Sequence, residues 1–146
     1  MLVARDVSEY FVSIVDLQGQ DFLTNLKVQK LLYYAQGFAL GLWKRPLFAE
    51  RIVAWQLGPV VVEVYKDYEK YGASPIPLSR DFDISNYDTD TKELLDRVFE
   101  IYGKFSASKL VEMTHSESPW KKTKINHEIS HKHLQDFFSK QVAYMF

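Results

Sequence analysis

Between Leu23 and Trp43, Val28, Leu31, Leu32, Ala35, Phe38, Ala39, Leu42 and Trp43 recur at helical spacing and merge into one apolar stripe. Leu26, Tyr33 and Leu40 add a second contact on the opposite side. A helix that is apolar on two sides needs neighbours on both, so this segment is predicted to be the central core helix. Thr24 is placed to accept a backbone N–H that the first turn cannot satisfy internally. Gly37 and Gly41 lie one turn apart, and each lowers helix propensity by about 1 kcal/mol against alanine, which predicts close approach of another backbone at that face. Lys27 falls at the edge of the stripe, whereas Gln29, Lys30 and Gln36 lie outside it. Lys27 reads as a snorkelling side chain or as half of an ion pair.

The rest of the chain is patterned around that helix. Asp6 and Glu9 have capping-box spacing, and Val7, Tyr10, Phe11 and Ile14 continue as an amphipathic helix to about Gly19. The central helix must stop before Arg45-Pro46, because proline pushes its preceding residue out of the helical region. Alternation from Ile52 to Leu57 predicts a short strand ending at Gly58-Pro59. Val60–Tyr71 is predicted helical, with Pro59 in its first turn and Gly72 at its end. Ala73–Asp88 reads as an irregular loop pinned by Ile76, Leu78, Phe82 and Ile84, with room for a strand beside Ile52–Trp55. Asp90 and Glu93 open a helix to Gly103, Ser106 caps one through Met113, Ser118-Pro119 opens a short one, and Ser130 caps the last. The architecture expected is mainly α, a compact helical domain around a central buried helix with a small β element, in one domain over residues 1–146.

Composition narrows the classes of function. The chain is 47% hydrophobic and 15% aromatic over 146 residues, ample for a real core. A net charge of −1 gives no global attraction for nucleic acid or an anionic membrane. No helix-turn-helix, zinc finger or aromatic RNA-binding motif is apparent, so no direct nucleic-acid contact is expected. The absence of cysteine removes disulfides and thiol chemistry, and fits a reducing cytosol. Arg5, Asp6 and Glu9 interrupt any signal-peptide pattern, and the uncharged run Leu31–Trp43 is shorter than the ~20 residues of a bilayer span. A cytoplasmic protein without a membrane segment is expected.

One local match to catalytic chemistry stands out. His127-Glu128-Ile129-Ser130-His131 spells H-E-x-x-H, in which two imidazoles one helical turn apart hold zinc and the glutamate activates water. That chemistry needs one helix through His127 and His131, whereas Ser130 is an N-cap candidate that would leave His127 outside it. No third ligand follows in the expected pattern. A zinc-dependent hydrolase is therefore the alternative reading, and no cofactor is expected in the leading one. Lys121, Lys122, Lys124, Lys132 and Lys140 make the C-terminal part basic, while Asp81 to Glu100 is acidic, an asymmetry that can steer a partner. Thr114 to Trp120 reads as a junction between short helices, in which cap and turn chemistry accounts for every residue except His115.

Three blocks in order, LTNLKVQKLLYYAQG at 23–37, AWQLGPVVVEVYKDYEKYG at 54–72 and LVEMTHSESPW at 110–120, resemble the Panacea domain, also called the SocA-like or phage-associated GepA-like family. The resemblance runs over nearly the whole chain. It carries Lys27, Gln29, Lys30, Tyr33, Tyr34 and Gln36 in the first block, and Trp55, Gly58, Pro59 and Tyr65 in the second. In the third it carries Thr114, His115, Glu117, Pro119 and Trp120. Where the family often has leucine, this chain has Val28. The resemblance implies a non-enzymatic bacterial, phage or plasmid antitoxin that neutralises a cognate toxin by direct contact, one branch acting as an adaptor to the ClpXP protease. Val62, Tyr71 and the 73–88 loop are the expected partner-binding positions.

Overall fold

The computed structural model describes residues 1–19 and 23–146. Its helices are α1 (Ala4–Leu17), α2 (Asn25–Trp43), α3 (Val62–Tyr68), α4 (Thr89–Tyr102), α5 (Ala107–His115), α6 (Ser118–Lys121) and α7 (His131–Met145), with strands β1 (Val53–Trp55) and β2 (Gly58–Val60) between α2 and α3. The fold is mainly α with a minor antiparallel β element, as the pattern of the chain predicts.

Helix α2 is the centre, and every residue from Val28 to Gly41 is buried. The Thr24 hydroxyl accepts the Lys27 N–H at 3.3 Å, and Lys44, in the left-handed region at φ 61°, closes the helix ahead of Pro46. The apolar stripe ends before the helix does, since Leu42 is 43% exposed. The two glycines form the seat of α7. A Cβ on Gly41 would stand 2.7 Å from the Phe138 carbonyl carbon, and one on Gly37 would overlap the Phe138 ring. The glycine pair thus exchanges helix propensity for a close helix contact. Phe138 fills the notch with its ring centroid 4.8 Å from that of Phe38 and 5.5 Å from that of Tyr33. Val7 and Phe11 of α1, Leu94, Leu95 and Val98 of α4, and Leu110 of α5 complete the core.

The β element differs from the expected single strand. Val53 faces Val60, Ala54 faces Pro59 and Trp55 faces Gly58, so Gly58-Pro59 belongs to the returning strand and Gln56-Leu57 makes the turn. Helix α3 consequently begins at Val62, after the proline. The other edge of β1 is covered by the segment before α7. Asn126 N–H donates to the Ala54 carbonyl at 2.7 Å, Ala54 N–H to that of His127 at 3.0 Å, and Ile129 N–H to that of Ile52 at 2.8 Å. The 73–88 loop does not pair there. It is held instead through Ile76, which is buried and donates its N–H to the Leu23 carbonyl at 2.9 Å, whereas Ile84 is 47% exposed.

Two helices begin earlier than their acidic residues indicate. Asp6 is the third residue of α1 and accepts the Val3 N–H at 3.1 Å, and α4 is capped by Asp88, which accepts the Thr91 N–H at 2.8 Å. An acid at the cap and an acid in the first turn produce similar spacings, so the sequence alone displaces the start. Ser106 and Ser130 cap α5 and α7 as expected, at 3.1 Å each. Ser118 does not cap α6, where the cap position is Glu117 and Pro119 lies within the first turn.

Candidate functional site

Asn25, Gln29, Lys30 and Gln36 of α2 are buried with the apolar residues, Lys27 is half-buried, and each ties a distant segment to the central helix. Gln36 accepts the N–H groups of Leu47 and Phe48 at 2.8 and 3.2 Å and donates to the Phe48 carbonyl at 2.8 Å. Gln29 accepts the Val61 N–H at 2.9 Å and donates to the Asn25 side chain at 3.0 Å, which in turn donates to the Tyr65 carbonyl at 3.0 Å. Lys30 Nζ donates to the Pro59 carbonyl at 3.1 Å, and Lys27 Nζ to the Gly103 carbonyl at 2.6 Å. Lys27, half-buried, thus holds the C-terminal end of α4, and among the described residues it has no ion pair. Unpaired burial of any of these groups would cost on the order of 1–3 kcal/mol, which is why their partners are so well defined.

The third motif block closes on the same helix and on the hairpin. The Glu117 carboxylate accepts the hydroxyls of Tyr33 at 2.9 Å and Tyr34 at 3.0 Å. Burial pushes Glu117 up to about 7, against the two hydrogen bonds, which act in the opposite direction. Burial likewise pushes Lys30 down from 10.5 to about 7. Trp120 Nε1 donates to the Trp55 carbonyl at 2.8 Å. His115, which turn chemistry leaves unexplained, stacks on Trp120 with centroids 4.0 Å apart and lies 3.0 Å from the Gln56 carbonyl through Nε2. A carbonyl only accepts, so that nitrogen carries the proton. Lys27, Gln36, His115 and Glu117 therefore serve four separate junctions and do not bond one another.

Gly58 is the tightest point of this assembly. Its φ of 108° is a conformation glycine adopts readily, and a Cβ there would stand 2.7 Å from Lys30 Cε and 2.9 Å from Thr114 Oγ1. Thr114 cannot swing away without losing its 2.9 Å bond to the Val111 carbonyl. Gly58→Ala is expected to lower the unfolding free energy by about 2–3 kcal/mol through backbone strain and overpacking. Urea denaturation measures the loss, and a shift of the midpoint too small to reach 1 kcal/mol would contradict this account.

The histidine pattern is not assembled as a zinc site requires. His127 and Glu128 lie on the extended segment beside β1, and His131 is the first residue of α7 after the Ser130 cap. Glu128 faces Arg51 at 3.8 Å, and His127 Nδ1 lies 3.3 Å from the Ile125 carbonyl. Among the described residues, no three His, Asp or Glu side chains converge as a metal-binding group. Val62 opens α3 and Tyr71 ends the turn that follows it, both half-buried.

Comparison with known proteins places these features in a family. Residues 28–121 match the family model described as "Antitoxin SocA-like, Panacea domain". The protein named Antitoxin SocA from Caulobacter vibrioides (strain NA1000 / CB15N) is 35% identical over 109 residues, which cover 67% of this chain and 58% of that relative. The chain thus spans less than two thirds of that relative's length. No solved structure matches it.

Proposed function

Since the chain belongs to the SocA-like Panacea domain family, we propose that it is an antitoxin that neutralises a cognate toxin protein by direct binding, without catalysing a reaction. The observation that carries this reading is the use made of the motif residues. Gln29, Lys30, Tyr33, Tyr34, Glu117, His115 and Trp120 are directed at other parts of the same chain, so they build a rigid support for the hairpin. A binding surface carried on a pre-formed frame loses less conformational entropy when its partner docks. Residues 1–146 act as one domain in this reading, since α7, outside the matched region, seats on the glycines of α2. Among the described residues no helix is long and apolar enough to cross a membrane.

The test is expression of the gene beside this one, alone and together with this chain. Growth arrest by the neighbour alone, rescue on co-expression, and a stoichiometric complex on copurification are the expected outcomes. Unchanged rescue by Glu128→Gln is expected as well, since Glu128 is taken to have no catalytic role. Toxin half-life in cells with and without a ClpXP-type protease separates simple sequestration from delivery for degradation. Absence of both arrest and complex formation would overturn the proposal.

A further inference from the structure

We propose that the partner docks on the groove beside the β1–β2 hairpin, and that the segment it inserts carries an aliphatic or aromatic side chain flanked by carboxylates on the α6 side. This rests on the antitoxin reading above and assigns that reading a surface and a partner chemistry.

The groove has a volume of about 320 Å³ and is walled by Leu26, Trp55, Leu57, Val60 and Tyr65. Leu57, at the hairpin turn, is 56% exposed, and Ile125, on the segment that pairs with β1, is 45% exposed. Trp55 and Tyr65 meet edge to face with centroids 5.0 Å apart, which sets the shape of one wall. An exposed leucine at the rim of an apolar groove is the kind of feature that marks a protein contact.

The hairpin is held from both sides. Gln29 and Lys30 fix its outgoing end at Val61 and Pro59, while Trp120 and His115 fix the carbonyls of Trp55 and Gln56 at the turn. Leu57 is therefore presented on a turn that does not need ordering by the partner.

Charge selects the occupant. Lys121, Lys122 and Lys124 are exposed and have no ion pair among the described residues. Their segment is bonded to β1 through Trp120 at one end and Asn126 at the other. On the α3 side, Glu63 and Lys66 offset one another and Asp67 pairs with Arg5 at 3.5 Å, so the cationic excess lies on the α6 side. Carboxylates on the partner would be drawn there. The apolar groove and the overall charge of −1 favour a protein over a nucleic acid as the occupant.

The experiment is calorimetric titration of the full chain with the neighbouring gene's toxin, at low and high salt. The variants are Leu57→Asp, the triple Lys121→Glu/Lys122→Glu/Lys124→Glu, and the control Asp90→Lys/Glu93→Lys on α4. Leu57→Asp is expected to weaken binding by about 100-fold and the triple variant by about 10-fold, the latter with a flattened salt dependence. Thermal unfolding of Leu57→Asp and of the triple variant is expected to match wild type, because the altered side chains are exposed. The control is expected to bind as wild type does. If Leu57→Asp fails to fold, the triple variant decides.

Wild-type affinity in Leu57→Asp and the triple variant, with the complex itself intact, would overturn the surface while leaving the antitoxin reading in place. A wild-type chain that neither binds nor rescues would overturn both. Binding of duplex DNA or RNA through the three lysines, with no toxin contact there, would also overturn the assignment.

Discussion

Truncation of Phe138 to alanine is expected to lower the unfolding free energy by about 4 kcal/mol and the melting temperature by on the order of 10 °C. Phe138 is fully buried, and its ring meets Tyr33, Tyr34, Phe38 and Phe137. The cavity left behind cannot collapse easily, because the α7 backbone already rests on Gly41 and the helices cannot approach further. That places the loss toward the upper part of the range for buried aromatic truncations. The same geometry makes a sharper test of the notch. Gly37→Ala gains helix propensity yet drives its new methyl group into the Phe138 ring, so it is expected to destabilise the wild-type chain. In the Phe138→Ala background the obstruction is gone, and the same substitution is expected to be neutral or stabilising. Chemical denaturation of the four proteins gives the coupling, expected at about 2 kcal/mol. Additive effects would show that α7 does not seat in the glycine notch as described.

This notch was legible in the sequence because its signals are local. Glycines one turn apart on an apolar helix, and Ser106 and Ser130 ahead of periodic segments, act through their immediate neighbours along the chain. Helix starts at Asp6 and Asp90 were less legible, since a carboxylate can serve a helix from the cap or from inside the first turn. The hairpin was hidden for a different reason. Gln56-Leu57 lacks the glycine or asparagine expected of a tight turn, so Gly58-Pro59 reads as a stop signal although its positions form the second strand. Burial of Gln29, Lys30 and Gln36 was least legible. Their partners at Val61, Pro59 and Phe48 lie far along the chain, and only the folded arrangement supplies them. The family motif identified the residues of the candidate site, but not that Glu117 reaches back to Tyr33 and Tyr34 or that His115 locks the hairpin turn.

The stability of the protein is expected to pass through a local minimum near pH 7 that traces to Lys30 and Glu117. In the folded chain burial pushes Lys30 down to about 7, so the folded state binds fewer protons than the unfolded state between that value and 10.5. Its contribution is fully present above the unfolded value and is lost as pH falls toward 7, a difference of about 4–5 kcal/mol across the window. Glu117 runs in the opposite sense. Its folded value of about 7 stands above the ordinary 4.5, so its contribution is fully present below 4.5 and is lost as pH rises through 7. That difference is at most about 3 kcal/mol, because part of the carboxylate remains in reach of solvent. In the folded chain the tyrosine hydroxyls that bond Glu117 stay protonated across these windows, since burial and the carboxylate both push them up, and their titration in the unfolded chain near 10.0 is common to wild type and variants and cancels in their difference. Lys27 is also pushed down by burial, but it is common to wild type and variants and cancels in their difference. Denaturation curves from pH 4 to 10 should therefore separate the two groups. Relative to Lys30→Met, wild type is expected to gain stability only above pH 7; relative to Glu117→Gln, it is expected to lose stability only between about pH 4.5 and 7. Loss of the bond to Pro59 or to the tyrosines shifts a whole difference curve without changing its slope, so the slopes report titration alone. Difference curves flat across both windows would show that neither group changes its proton affinity on folding. The buried frame beneath the hairpin would then be held by hydrogen bonds without the desolvation that the geometry demands.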